Sequence, residues 1–253
     1  IDEFRDMLRQ FLSGGSDLDP SKLAGAAGLP DDPAFVARLL SQLQAAVARG
    51  DEGIDWSVAV EQATAVGGRE ALDARPADTA ALEQAFTVAA LWLADVTDVA
   101  ELTVSPRLMT RTEWARATMP VWTQLAEPVA SSIADSLTDV LRQQAPDEMR
   151  DVLAGAGQIM RSVGGTLFAM QLGQVVGQLS AEVVSGGDVG IPLLDDQQAA
   201  LLPQNVDAFG EGLELERDQV QLYLAVRELA HARLFRHARW LRLHLISSIR
   251  EFA

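Results

Sequence analysis

Apolar positions in this chain recur at three- and four-residue steps, and convincing period-two alternation is missing, so the predicted elements are helices. The clearest stripe lies near the C-terminal end, where Val220, Leu224, Leu234, Ala238, Leu241, Leu245 and Phe252 share one side of a helix. Arg227 and His231 fall on that stripe, where apolar residues are expected. Inward polar groups are costly unless they find partners. Thr79–Val96 is apolar almost all round, through Leu82, Phe86, Val88, Leu91, Trp92 and Leu93, which predicts burial on most sides. Trp56–Val66 reads as a helix stopped by Gly67-Gly68.

Thr110-Arg-Thr-Glu113 has the capping-box pattern and opens a helix through Trp114 to about Thr118. Pro120 and Pro128 are expected to interrupt or kink it before it resumes to about Gln143, with Val129, Ile133, Leu137, Val140 and Leu141 inward. Trp114 and Trp122 read as core residues, with lining of a cavity as the alternative. Pro146–Val184 is a long helix with a break expected near Gly164-Gly165. Its small residues, including Gly173 and Gly177, invite close approach of the Val220–Leu245 helix. The Gly173–Gly177 spacing also occurs in membrane helix pairs, but Arg161, Gln171, Gln174 and Gln178 interrupt the window, so no membrane partner is expected. Ser185–Gly190 is a Gly-rich turn, and Asp195–Pro203 is a brief helix ending at proline.

At the N-terminal end, Asp2–Leu12 and Pro33–Arg49 are amphipathic helices joined through the flexible Ser13–Pro20. Residues 1–50 are read as a peripheral piece that needs a partner, with a second copy of the chain one option. Residues 51–253 form the main domain. The fold class is mainly α: a multi-helix, bundle-like domain with a long central motif helix and at most a very small sheet. The chain stops inside a helical pattern, so this domain is expected to continue beyond Ala253.

Composition narrows the chemistry. A net charge of −16 repels phosphate backbones and argues against nucleic acid. The charge is uneven: from Arg217 to Arg250 seven arginines stand against Asp218 and Glu228. That helix is expected to pair with acidic neighbours in its own fold, or else with a protein or peptide partner. Cysteine is absent, which removes disulfides, thiolate metal sites and a Cys nucleophile and fits a cytoplasmic protein. Walker loops, G-x-S-x-G and G-x-G-x-x-G are also absent.

The candidate chemistry sits at Arg227-Glu-Leu-Ala-His231. In H-E-x-x-H, two histidines one helical turn apart hold zinc and the glutamate is the general base. Glu228 and His231 stand in register with that motif. Arg227 occupies the first histidine position and cannot ligate zinc, because guanidinium does not deprotonate in proteins. His237 is six residues past His231, about 240° around a straight helix, so the two do not share a face without a bend. His237 and His244 do share a face. Tyr223, one turn before Arg227, is either a packing residue or an orienting one.

Tyr223–Leu245, with Asn205-Val-Asp-Ala-Phe-Gly-Glu-Gly-Leu213, Gly53-Ile-Asp-Trp56 and Arg111–Pro120, resembles the actinobacterial zincin-like metallopeptidase family over about Asp51 to Ala253. One branch of that family carries the full motif, and another carries Arg or another residue at its first position, as here. The resemblance implies zinc as cofactor, Glu228 as general base and His231 as second ligand, with a third ligand beyond Ala253 if one exists. It also implies a small sheet beside the motif helix, which the sequence does not display. Two readings follow. In one the chain is a degenerate, metal-free homologue serving as a helical interaction scaffold, with Arg227 replacing the zinc charge against a buried carboxylate. Removing Arg227 would then cost a few kcal/mol. In the other it is an active zinc metallopeptidase.

Overall fold

The computed structural model describes residues 54–144, 150–195 and 198–252. The expected helices at 2–12 and 33–49 lie outside the described residues. Within them run α1 (Ser57–Gly67), α2 (Pro76–Val96), β1 (Arg107–Leu108), α3 (Arg111–Gln144), α4 (Arg150–Glu182), β2 (Ala200–Leu201), α5 (Pro203–Gly210), α6 (Arg217–His237) and α7 (Arg239–Phe252). The two strands pair in parallel, Arg107 opposite Ala200 and Leu108 opposite Leu201. The fold is mainly α with a very small sheet, as the periodicity predicts.

Local signals set several boundaries. The Thr110 hydroxyl accepts from the Glu113 N–H at 3.2 Å while the Glu113 carboxylate accepts from the Thr110 N–H at 2.8 Å, a complete capping box at the start of α3. Pro76 stands in the first turn of α2, where its missing N–H costs nothing.

Other expectations are corrected. Pro120 and Pro128 lie inside one continuous helix. Each proline removes one backbone bond, while burial of Trp114, Ala115, Met119, Val121 and Leu125 holds the helix together across Pro120. Ile133 points outward rather than in. Helix α4 runs unbroken through Gly164-Gly165. Its small face receives α1, not α6: a Cβ on Gly173 would overlap the backbone of Ala59, and one on Gly177 would overlap Val66. Gln62 and Gln174 bond across that contact at 2.8 Å. Helix α2 buries one face only, through Leu82, Ala85, Phe86, Ala89 and Leu93, and leaves Leu91 and Trp92 exposed.

The core has two main parts. Trp114, Ala115 and Met119 of α3 join Ala59, Ala63, Ala169 and Val176 in the first. The second lies between α2 and α6, where Leu82 and Phe86 meet Leu224, Ala225 and Leu229. The chain between α4 and α5 threads between them. Val183 and Leu202 enter the first part, and their neighbours Val184 and Leu201 enter the second. That two-sided burial explains why 199–202 is extended where a brief helix was expected. Side chains alternate across a strand, so four successive residues can serve two cores. Pro203 begins α5 rather than ending a helix.

Candidate functional site

The motif helix α6 is the middle of the site. It spans Arg217–His237 and stops at Ala238, whose φ of −101° and ψ of 63° leave the helical region. The Val220–Leu245 helix of the sequence reading is therefore two helices, and the break needs no proline. His237 and His244 fall on opposite sides of it, and both are exposed. Leu234, placed inward by the periodicity, is 48% exposed.

The inward polar residue of the motif is Glu228, not Arg227. Glu228 is 2% exposed. Its Oε2 accepts from the N–H of Gly187 at 2.9 Å and its Oε1 from the N–H of Ala200 at 3.0 Å. The Ser185 side chain bonds it as well. One carboxyl group thus ties the turn after α4 and the start of β2 to the motif helix. Burial raises the Glu228 pKa above the ordinary carboxylate value, against the downward pull of these donors and of Arg227. The approach is close enough to require glycine, since a Cβ on Gly186 would overlap Leu194 and press on the Glu228 carboxyl.

His231 lies one turn on and packs its ring tilted against Phe235, with centroids 4.7 Å apart. Gly187 also approaches the ring closely, since a Cβ there would overlap the imidazole. Among the described residues Nε2 of His231 has no hydrogen-bond partner although it is buried. Burial lowers the His231 pKa, and the nearby Arg227 charge lowers it further. Glu228, His231 and Phe235 line a narrow pocket closed by Gly187, Leu193 and Leu194. Its free volume of about 20 Å³ is room for one water-sized occupant.

Arg227 points the other way. Its side chain is 42% exposed and pairs with Asp188 at 2.5 Å, while the other oxygen of Asp188 accepts from the Val184 N–H at 2.9 Å. The expected pairing of Arg227 with a buried carboxylate is corrected: Asp188 is a loop residue within reach of solvent. Tyr223 is 59% exposed, so it is not a packing residue, and it does not line the pocket. The arginine-rich helix does find acidic neighbours. Arg217 bonds Asp78 at 2.8 Å and also Asp207.

Ser185, Gly187, Asp188 and Ala200 were not singled out from the sequence. Gly187 and Ala200 contribute backbone N–H groups, which leave no side-chain signature, while Ser185 and Asp188 act through side chains common in any polar turn. The sequence reads Ser185–Gly190 only as a Gly-rich turn, and the close approach at Gly186 and Gly187 appears in the fold.

A family model described as zincin-like metallopeptidase matches residues 54–253. Comparison with the curated proteins finds no match. Among solved structures, one described as a "putative hydrolase with a novel fold", from Chloroflexus aurantiacus, is similar in fold, with a TM-score of 0.55 and 19% identity. The likeness covers 78% of this chain and 57% of that one, so this chain spans little more than half of that structure's length.

Among the described residues, those around His231 do not supply the three protein ligands that a catalytic zinc ion takes beside an open position. His231 offers one nitrogen. Both Glu228 oxygens are held by backbone N–H groups. Arg227 has no lone pair to give. Among the described residues no group of three or more His, Asp or Glu could hold a metal.

Proposed function

The chain belongs to the zincin-like metallopeptidase family, and from that premise we propose that it is a hydrolase homologue of the degenerate branch, whose former metal site is now a structural clamp on a helical interaction scaffold. The observation that carries this reading is the engagement of Glu228. A general base in this motif must face a metal-bound water. Here both carboxyl oxygens are instead bonded to the backbone of two other segments. Such a scaffold would take its partner on exposed apolar side chains such as Leu91, Trp92 and Val96 of α2, which are 67%, 55% and 75% exposed.

A second reading, an active zinc-dependent metallopeptidase with Glu228 as base, is favoured by one observation, the buried and unpartnered Nε2 of His231 beside Glu228. Elemental analysis of the purified chain, with peptide-hydrolysis assays on wild type and Glu228→Gln, separates the two. The clamp reading expects far less than one zinc per chain and no hydrolysis. It also expects Glu228→Gln to lose about 1–3 kcal/mol of stability, because the amide NH2 faces a backbone N–H and leaves a buried donor unpaired. One zinc per chain, with hydrolysis abolished in a Glu228→Gln protein that melts like wild type, would overturn it.

A further inference from the structure

On the face of α6 turned toward α2, away from Glu228, lies a groove of about 550 Å³ bounded by α2, residues 101–106 and α6. That size falls in the roughly 300–1,000 Å³ range of small-molecule sites. Arg233 lines it and is only 3% exposed. Its Nε and Nη1 have no hydrogen-bond partner among the described residues, and Nη2 reaches only the Ala90 carbonyl at a long 3.4 Å. A guanidinium keeps its charge in a protein, and a buried charge without a counter-ion is strongly unfavourable. Every other short contact of the α6 arginines is accounted for differently: Arg217 and Arg227 hold carboxylates, and Arg236 holds the Glu101 carbonyl. Arg233 is thus a buried cation beside a groove, with no carboxylate on it in the described part of the chain.

We propose that this groove binds a monocarboxylate carried on an apolar stem, with Arg233 as the partner of the carboxylate. The planar fork of donors matches a carboxylate in bidentate fashion. Phe86, Leu91, Leu102, Val104 and Leu229 line the rest of the groove and supply the apolar surface for the stem. Glu83 and Glu101, also on the groove and exposed, penalise a phosphate or other dianion more than a single negative charge. Engagement requires the guanidinium to turn toward the groove, which gives up only the long bond to Ala90. The proposal is independent of whether Glu228 and His231 hold a metal.

The test is calorimetric titration of the purified chain with octanoate against octanol, and with acetyl-Leu-Leu carboxylate against its C-terminal amide, so that a free aliphatic acid and a peptide C-terminus are distinguished. At least one carboxylate is expected to bind roughly tenfold or more tightly than its neutral counterpart, and inorganic phosphate is not expected to compete. Arg233→Met, similar in length and uncharged, is expected to weaken that binding by tenfold or more, as loss of one partner of a buried charge pair does. Val104→Trp, which fills the groove without removing the cation, is expected to weaken it too, and it decides the matter if Arg233→Met does not fold. Carboxylates that bind no better than their neutral counterparts, or bind unchanged to the folded variants, overturn the proposal, as does equal competition by phosphate.

Discussion

Glu228 and His231 titrate against opposite burdens, and both shifts start from burial. The Glu228 carboxyl is pushed up, so the folded state holds its proton more tightly than the unfolded chain does. Its contribution to stability is fully present below the ordinary carboxylate value of 4.5 and is lost as pH rises through the raised folded value. The His231 imidazole is pushed down, so its contribution is fully present above 6.5 and is lost as pH falls through the depressed folded value. Chemical denaturation from pH 5 to 8 should therefore show a loss of stability below pH 6.5 that His231→Leu reduces. An unchanged acid limb in that variant would mean another group carries it. Arg227 is a different case. Its pair with Asp188 is partly solvated, and such pairs contribute about 0–1 kcal/mol. Arg227→Ala should accordingly cost less than about 1 kcal/mol by urea melt. The larger penalty expected from sequence presumed a buried carboxylate, and the carboxylate that Arg227 meets lies on a loop.

At the scale of elements, the turn after α4 is held against α6 by contacts that only glycine permits. Gly187 donates its N–H to Glu228 while its Cα side faces the His231 ring. Gly187→Ala should cost about 1–3 kcal/mol through overpacking. The double variant Gly187→Ala/His231→Ala should recover part of that loss in a double-mutant cycle. If the two effects simply add, the turn and the ring are not in contact in solution. The same reasoning explains why α4 accepts α1. Helical position put Gly173 and Gly177 on one face, but which helix fills that face depends on the chain path. Helix α1 lays Ala59, Ala63 and Val66 against it, while α6 is drawn to the apolar face of α2.

For the whole molecule, two core parts meet across one thread of chain, residues 183–195 and 198–202, and the clamp at Glu228 fastens that thread to the motif helix. Stability on this account comes from burial and hydrogen bonds within the chain. Dialysis against EDTA should leave the thermal midpoint of the purified chain unchanged within about 1 °C, since a ligand that binds the native state would otherwise shift it by mass action. A drop of several degrees that added zinc restores would show that a metal contributes to the fold. No helix among the described residues is long and apolar enough to cross a membrane.

Residue spacing alone was enough for the helical class, the capping box at Thr110–Glu113, and the position of the R-E-x-x-H segment in a long helix. Each of these depends on residue spacing within a few turns, which local geometry fixes. The sheet was not legible: two strands of two residues have no period to detect, and each exists only because buried segments far apart in the chain lie side by side. The continuity of α3 through two prolines was hidden for the same reason, since the burial that offsets a lost backbone bond comes from other helices. Which of Arg227 and Glu228 turns inward was also a tertiary decision. Adjacent residues on a helix point about 100° apart. The choice fell to the backbone N–H groups of Gly187 and Ala200, donors that could satisfy a buried carboxylate but not a buried guanidinium.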